Sequence, residues 1–283
     1  MRKILLTFLL TPFLGFAGTV EHPFDYDLHL FSLSGNHQRT MICFHGYGDS
    51  YQIAKTLKDL YRPKATLVSF NFPEHDLEQG EKYDPKAASF GTIDELLPAL
   101  YVMKKIVLDQ KLESIDLYGF SAGGGALVNA IAALNTTIYD AELKRIGVGA
   151  KEKMRLLSAI QRGIVVLDTP LKSIEEIMDF RGVTEEFEIL AKKYRDHHLR
   201  PIDSLRMLEG LSLTILLHFQ KNDEILSNRD DQIYIKRLKT IQKDGIVNVI
   251  IADEGGHMEP HHSLWREYAQ MTSARKRTEN RPK

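Results

Sequence analysis

The run IDLYGFSAGGGALVN, Ile115 to Asn129, sets one hydroxyl between a strand-like apolar stretch and a helix-like one, then follows it with small residues from Ala122 to Gly125. Within it, Gly119-Phe120-Ser121-Ala122-Gly123 has the pattern G-x-S-x-G. A tight strand-to-helix turn strains the backbone at the serine, and bulky neighbours would clash there, so glycines flank it at two positions. The turn lifts the hydroxyl to the carboxyl end of the strand. There the first amides of the helix lack intrahelical acceptors and create positive potential.

A serine hydroxyl is a weak nucleophile until a base takes its proton. Of the eleven histidines, His257 stands out, because IIADEGGHMEPHH places it just after the final strand-like run, behind Gly255 and Gly256. His261 and His262 compete, but they follow Pro260 and are expected to begin the last helix at the surface. The base needs a carboxylate to fix its tautomer. Asp223, in HFQKNDEI, follows the preceding strand-like run, and its neighbour Glu224 points elsewhere. Asp168, at the end of GIVVLD, is a second candidate, or else a helix cap before Pro170. The chain order Ser, Asp, His favours Asp223. Two backbone amides would complete the site as an oxyanion hole. One belongs to Ala122; the other, the Tyr47 amide, lies in HGYGDS, where Gly46 and Gly48 permit a sharp turn after His45.

These residues need elements to bring them together. Strand-like runs at 40–44, 65–72, 114–120, 163–168, 213–219 and 246–252 alternate with helical stretches at 51–60, 92–108, 125–134 and 230–242. Such alternation predicts βαβ units and a mainly parallel sheet flanked by helices. The strands are continuous apolar runs, as expected when both faces are covered. Pro98 is expected to bend or delay its helix. Residues 73–88 read as loop. Residues 171–210 are too long for a bare loop and read as helices, either a cap over one end of the sheet or a peripheral packing element. Ahead of residue 40 only YDLHLFSL (26–33) offers a clear strand.

The chain has 283 residues with a formal net charge of -1, so the basic excess of a nucleic-acid binder is missing. Its single cysteine, Cys43, lies in an apolar run and reads as a buried structural thiol. The opening MRKILLTFLLTPFLGFAG has two basic residues, an apolar stretch and small residues, which is the layout of a secretory signal peptide over residues 1–18. A retained anchor or a buried helix is the other reading, although the run is short for a span and contains Pro12. Export to the periplasm or outside the cell is therefore expected, with no stable span after signal removal. The domain would occupy 19–272, and 273–283 reads as a polar, basic, solvated tail.

Other patterns fail on their chemistry. HMEPH (257–261) lacks glutamate at its second position, and Pro260 breaks the helix that a zinc motif needs. The pairs His197-His198 and His261-His262 are read as surface histidines, so no metal is expected. Gly123 to Gly125 lack the Lys and Ser/Thr of a phosphate loop, and Gly147-Val148-Gly149 lacks a third glycine at dinucleotide spacing. No cofactor is expected.

With HGYG at 45–48, GFSAG at 119–123, Asp223 and GGH at 255–257, the chain resembles the α/β-hydrolase superfamily of serine hydrolases over roughly residues 38–270. The resemblance implies an eight-stranded, mostly parallel sheet, and acyl transfer to water through an acyl-enzyme. It also implies a small-molecule acyl substrate. In two respects the chain departs from the pattern: the part before residue 40 is short, which predicts missing early strands, and HGYG replaces the HGGG of many lipases and esterases. The expected activity is hydrolysis of a carboxylic ester or related acyl bond. A serine peptidase or thioesterase on the same fold, and a non-catalytic hydrolase-like binding module, remain alternatives.

Overall fold

The computed structural model describes residues 16–19, 23–24, 28–33, 39–73, 89–253 and 255–279. Most of the expected signal peptide, and the loop anticipated at 73–88 beyond Pro73, lie outside the described residues.

Eight strands form one sheet among the described residues, in the order β1-β2-β4-β3-β5-β6-β7-β8. They are β1 Phe16–Thr19, β2 His29–Leu33, β3 Thr40–Phe44, β4 Thr66–Phe70, β5 Asp116–Phe120, β6 Val165–Asp168, β7 Thr214–Gln220 and β8 Ile246–Ala252. β1 and β2 run antiparallel to their neighbours, and all other pairings are parallel. The expectation of missing early strands is corrected: a second strand, β1, precedes the one legible at 26–33. It is too short to show alternation, and it crosses the point where signal cleavage was expected.

The central strands are apolar because helices cover both faces. β7 is buried along its whole length, whereas β8, at the sheet edge, is mostly half-exposed. On one face lie α2 Ile93–Lys104, α3 Ala122–Leu134, α4 Asp140–Arg145, α5 Ala150–Gln161 and α9 Asp231–Ile241, and on the other α1 Ile53–Tyr61 and α10 His262–Glu279. Pro98 does not delay the start of α2, which begins at Ile93. It sits buried within the helix, and only past Lys104 does the backbone widen into a π turn at Lys105–Asp109. α10 continues to Glu279, into the stretch read as a polar tail. Arg275 ties this helix to the sheet, donating to the carbonyls of Arg162 and Gly163 and to the Thr214 hydroxyl.

α3 decides how firmly Ser121 is mounted. Gly123 to Leu134 are buried without exception, so the helix is enclosed on every side. Asn129, its one polar interior residue, donates to the Leu199 carbonyl at 2.5 Å. The segment 171–210 forms α6 Glu175–Arg181, α7 Glu185–Asp196, α8 Pro201–Ser204 and a 3-10 turn at Leu205–Leu208. Ile174, Ile177, Phe187 and Leu190 of this segment wall a cavity that Ser121 also lines. Cys43 is fully buried, which pushes its thiol well above the usual range.

Candidate active site

The register of the sheet brings strand ends together. Phe44 of β3 pairs with Gly119 of β5, Phe120 with Asp168 of β6, and Asp168 with His218 of β7. The residues following each strand therefore meet along one rim.

Ser121 stands between β5 and α3 with φ 52° and ψ -121°. A non-glycine residue at positive φ costs of order 1–3 kcal/mol and persists only where its surroundings impose it. The surroundings here are backbone bonds: the Ser121 amide donates to Asp168 O at 3.0 Å, and the Leu171 amide donates to Ser121 O at 2.8 Å. Close packing explains the glycines. A Cβ at Gly123 would lie 2.3 Å from His45 O and 2.4 Å from Phe44 O, and one at Gly119 would lie 2.7 Å from Gly123 O. Without side chains at these positions, the start of α3 can abut the end of β3.

This contact brings the Ala122 amide, first of α3, beside the loop after β3. Asp49 N donates to Gly46 O at 3.2 Å, and Gly48 has φ 74°. That is the pattern of a type II turn, with Tyr47 and Gly48 at its centre. His45 pins the turn from below. The Phe72 amide donates to its Nε2 at 3.1 Å, which leaves Nδ1 to donate to Gly46 O at 2.8 Å. His45 is 1 % exposed and fixes the loop rather than facing the cavity.

After β7, Asp223 turns back to accept from the amides of Ile225 and Leu226 at 2.8 and 2.7 Å. Its other oxygen lies 2.6 Å from His257 Nδ1. Burial pushes the Asp223 carboxyl up, but the bond to His257, its charge and the two amides outweigh burial and hold it below the usual range. Glu224, set aside in the sequence reading, accepts from the His257 amide at 2.9 Å.

Asp168 takes a different role. His218 Nδ1 lies 2.9 Å and His261 Nδ1 2.6 Å from its Oδ1, and Tyr118 donates to Oδ2 at 2.8 Å. Burial favours its neutral form, but the two histidine bonds prevail and hold the carboxyl far below the usual range. The surface placement of His261 is thus corrected: it is 3 % exposed, because the loop before α10 turns it under the sheet edge. Asp168, His218 and His261 present ligand-type atoms within 4.8 Å of one another. Their 2.6 and 2.9 Å nitrogen-to-oxygen separations are those of hydrogen bonds. Ligands around tetrahedral zinc sit about 3.3 Å apart. The cluster as it stands is hydrogen-bonded. His218 interrupts the apolar run LTILLHF, and that single titratable residue in a buried strand was the one sequence sign of it.

Ser121, Tyr47, Ala122 and His257 all line a cavity of about 340 Å³ between the rim and the helices of 171–210. Its volume falls in the usual range for small-molecule sites. Phe90, Phe120, Ile177, Phe187 and Leu190 make much of the wall apolar, with Asp49, Arg181 and Glu186 as charged exceptions.

Solved structures share this architecture. The esterase Pf2001 of Pyrococcus furiosus is 17 % identical, with a TM-score of 0.58 over 93 % of this chain and 89 % of its own. Esterase B of Lactobacillus rhamnosis, inhibited by a C6-C4 SN3 compound, is 14 % identical with a TM-score of 0.64 over 94 % and 89 %. This is an α/β-hydrolase fold. The acylaminoacyl peptidase of Pyrococcus horikoshii has it too, at 12 % identity and a TM-score of 0.61, with this chain spanning 42 % of that longer one. No protein-family model and no curated protein matches this chain. Among its described residues, no helix is long and apolar enough to cross a membrane.

Proposed function

We propose that this α/β-hydrolase is a serine hydrolase that cleaves a carboxylic ester of a small, largely apolar acyl group. One observation carries the reading: the 2.6 Å Asp223–His257 bond fixes the imidazole of a residue that lines the same cavity as the strained Ser121. With Nδ1–H donated to Asp223, Nε2 is the free base.

In the proposed reaction Ser121 Oγ attacks the ester carbonyl while His257 Nε2 takes its proton. The Tyr47 and Ala122 amides hold the developing oxyanion; one such donor is worth about 3 kcal/mol in the transition state. Collapse expels the alcohol, which receives the proton from His257. Water, deprotonated by the same imidazole, then attacks the acyl-enzyme and returns Ser121 to its hydroxyl form. The apolar wall formed by Ile177, Phe187 and Leu190 would accommodate the acyl chain.

The test is covalent labelling by a fluorophosphonate. Wild-type protein should label at Ser121, and Ser121→Ala should not. Equal labelling of both would end the assignment. A panel of p-nitrophenyl esters, thioesters and aminoacyl amides then assigns the bond cleaved. We also propose that the chain is exported, on the strength of residues 1–18; sequencing the N-terminus of mature protein from the native host tests this. Cleavage after Ala17 or Gly18 would cut β1, leaving β2 as the sheet edge.

A further inference from the structure

Beside the Asp223–His257 pair lies a second carboxylate–imidazole pair, Asp168–His261, and it reaches the same loop. His261 Nδ1 is 2.6 Å from Asp168 Oδ1, and its Nε2 is 3.3 Å from Gly256 O. A carboxylate and a backbone carbonyl can only accept hydrogen bonds. Both ring nitrogens must therefore carry protons for both contacts to be bonds. With one proton fewer, a nitrogen lone pair would face the Gly256 carbonyl lone pairs. We infer that His261 is a positioning residue for the proposed base: a buried imidazolium that ties the carbonyl of Gly256, the residue before His257, to Asp168 at the end of β6.

The loop needs such a tie. Gly255 has φ 98°, and two successive glycines give the chain ahead of His257 wide freedom. The loop is otherwise held by Glu224 on the His257 amide, by Asp223 on the ring, and by the Glu259 amide, which also donates to Gly256 O at 3.2 Å. Its own backbone anchors His261, whose amide donates to the Tyr61 hydroxyl at 2.6 Å. The groups facing the ring are Asp168 of β6, His218 of β7 at 4.6 Å between ring centroids, Tyr61 of α1, Tyr118 of β5 acting through Asp168, and Asp223. Two carboxylates among these favour the charged form. Burial alone would lower the His261 pKa, but the Asp168 bond and charge raise it above the ordinary histidine value. The tie is thus in place at low pH and is lost as pH rises through that raised value.

This inference rests on the hydrolase reading only for its consequence in catalysis; the charge of His261 can be measured without it. In ¹⁵N-histidine-labelled wild-type protein at pH 7, both His261 ring nitrogens should show the shifts of a protonated imidazole. A neutral ring would overturn the inference. In kinetics on a p-nitrophenyl ester, wild-type kcat should fall on the alkaline side as His261 loses its proton. His261→Gln retains an N–H donor for Gly256 but does not titrate. It should remove that alkaline limb, lower kcat about tenfold and leave KM within twofold. An unchanged alkaline limb in a folded His261→Gln variant would also overturn the tie. If Ser121 fails to label while the His261 signals are those of an imidazolium, the hydrolase reading fails and the loop tie stands.

Discussion

His257 Nδ1 lies 2.6 Å from Asp223 Oδ2, although the two residues are 34 positions apart in the chain. Asp223→Asn should lower kcat by about 10³–10⁴. The variant keeps an oxygen for the Ile225 and Leu226 amides, but its NH2 group would face His257 Nδ1 and force the wrong tautomer. Steady-state kinetics with a melting curve checks this. A loss under tenfold in a folded variant would remove Asp223 from the proposed machinery.

Gly123 bears on the mounting of the nucleophile. Gly123→Ala would place a methyl 2.3 Å from His45 O, a backbone atom that cannot swing aside. A loss of at least about 2 kcal/mol in stability is expected. Fluorophosphonate labelling should fall with it, because the Ala122 amide would move away from the Tyr47 turn. Thermal denaturation and labelling rate together test the point.

The start of the segment 171–210 holds a buried charge cluster. Lys172 Nζ lies 2.8 Å from Glu176 Oε1 and 2.8 Å from Asp231 Oδ1, with Lys172 and Glu176 almost fully buried. Burial outweighs the lysine and pushes the Glu176 carboxyl up to about 7. A carboxyl raised on folding binds more protons in the native state. Its stabilising contribution is complete below the unfolded value near 4.5 and is lost as pH rises through about 7. Chemical denaturation of wild type and Glu176→Gln from pH 4.5 to 8 should show the difference between them shifting against wild type by up to about 3 kcal/mol. A pH-independent difference would mean that Glu176 remains ionised throughout.

Leu190 of α7 lines the cavity roof. Leu190→Trp should fill the space proposed for the acyl chain. Against a series of p-nitrophenyl esters, kcat/KM for octanoate should fall at least tenfold relative to acetate. An unchanged ratio would mean that the acyl chain lies elsewhere.

By itself the sequence determined the alternation of strands and helices and, through G-x-S-x-G in that context, the turn that carries Ser121. These are local properties: β-branched runs, helical spacing, and glycines where a side chain would collide. Which aspartate meets which histidine is not local. Asp168 ends β6 and Asp223 follows β7 by three residues, and His257 and His261 stand four positions apart, so chain order could rank the pairs without joining them. Register and loop path decided it, setting Asp223 on His257 and giving Asp168 to His261 and His218. Tertiary structure also decided the first strand, too short to show a pattern, and the burial of His261. A residue beside proline reads as surface until the fold closes over it. The cavity belongs to the same class, because its wall joins residues from Gly46 to Met258 that become neighbours only when the helices of 171–210 pack beside the rim.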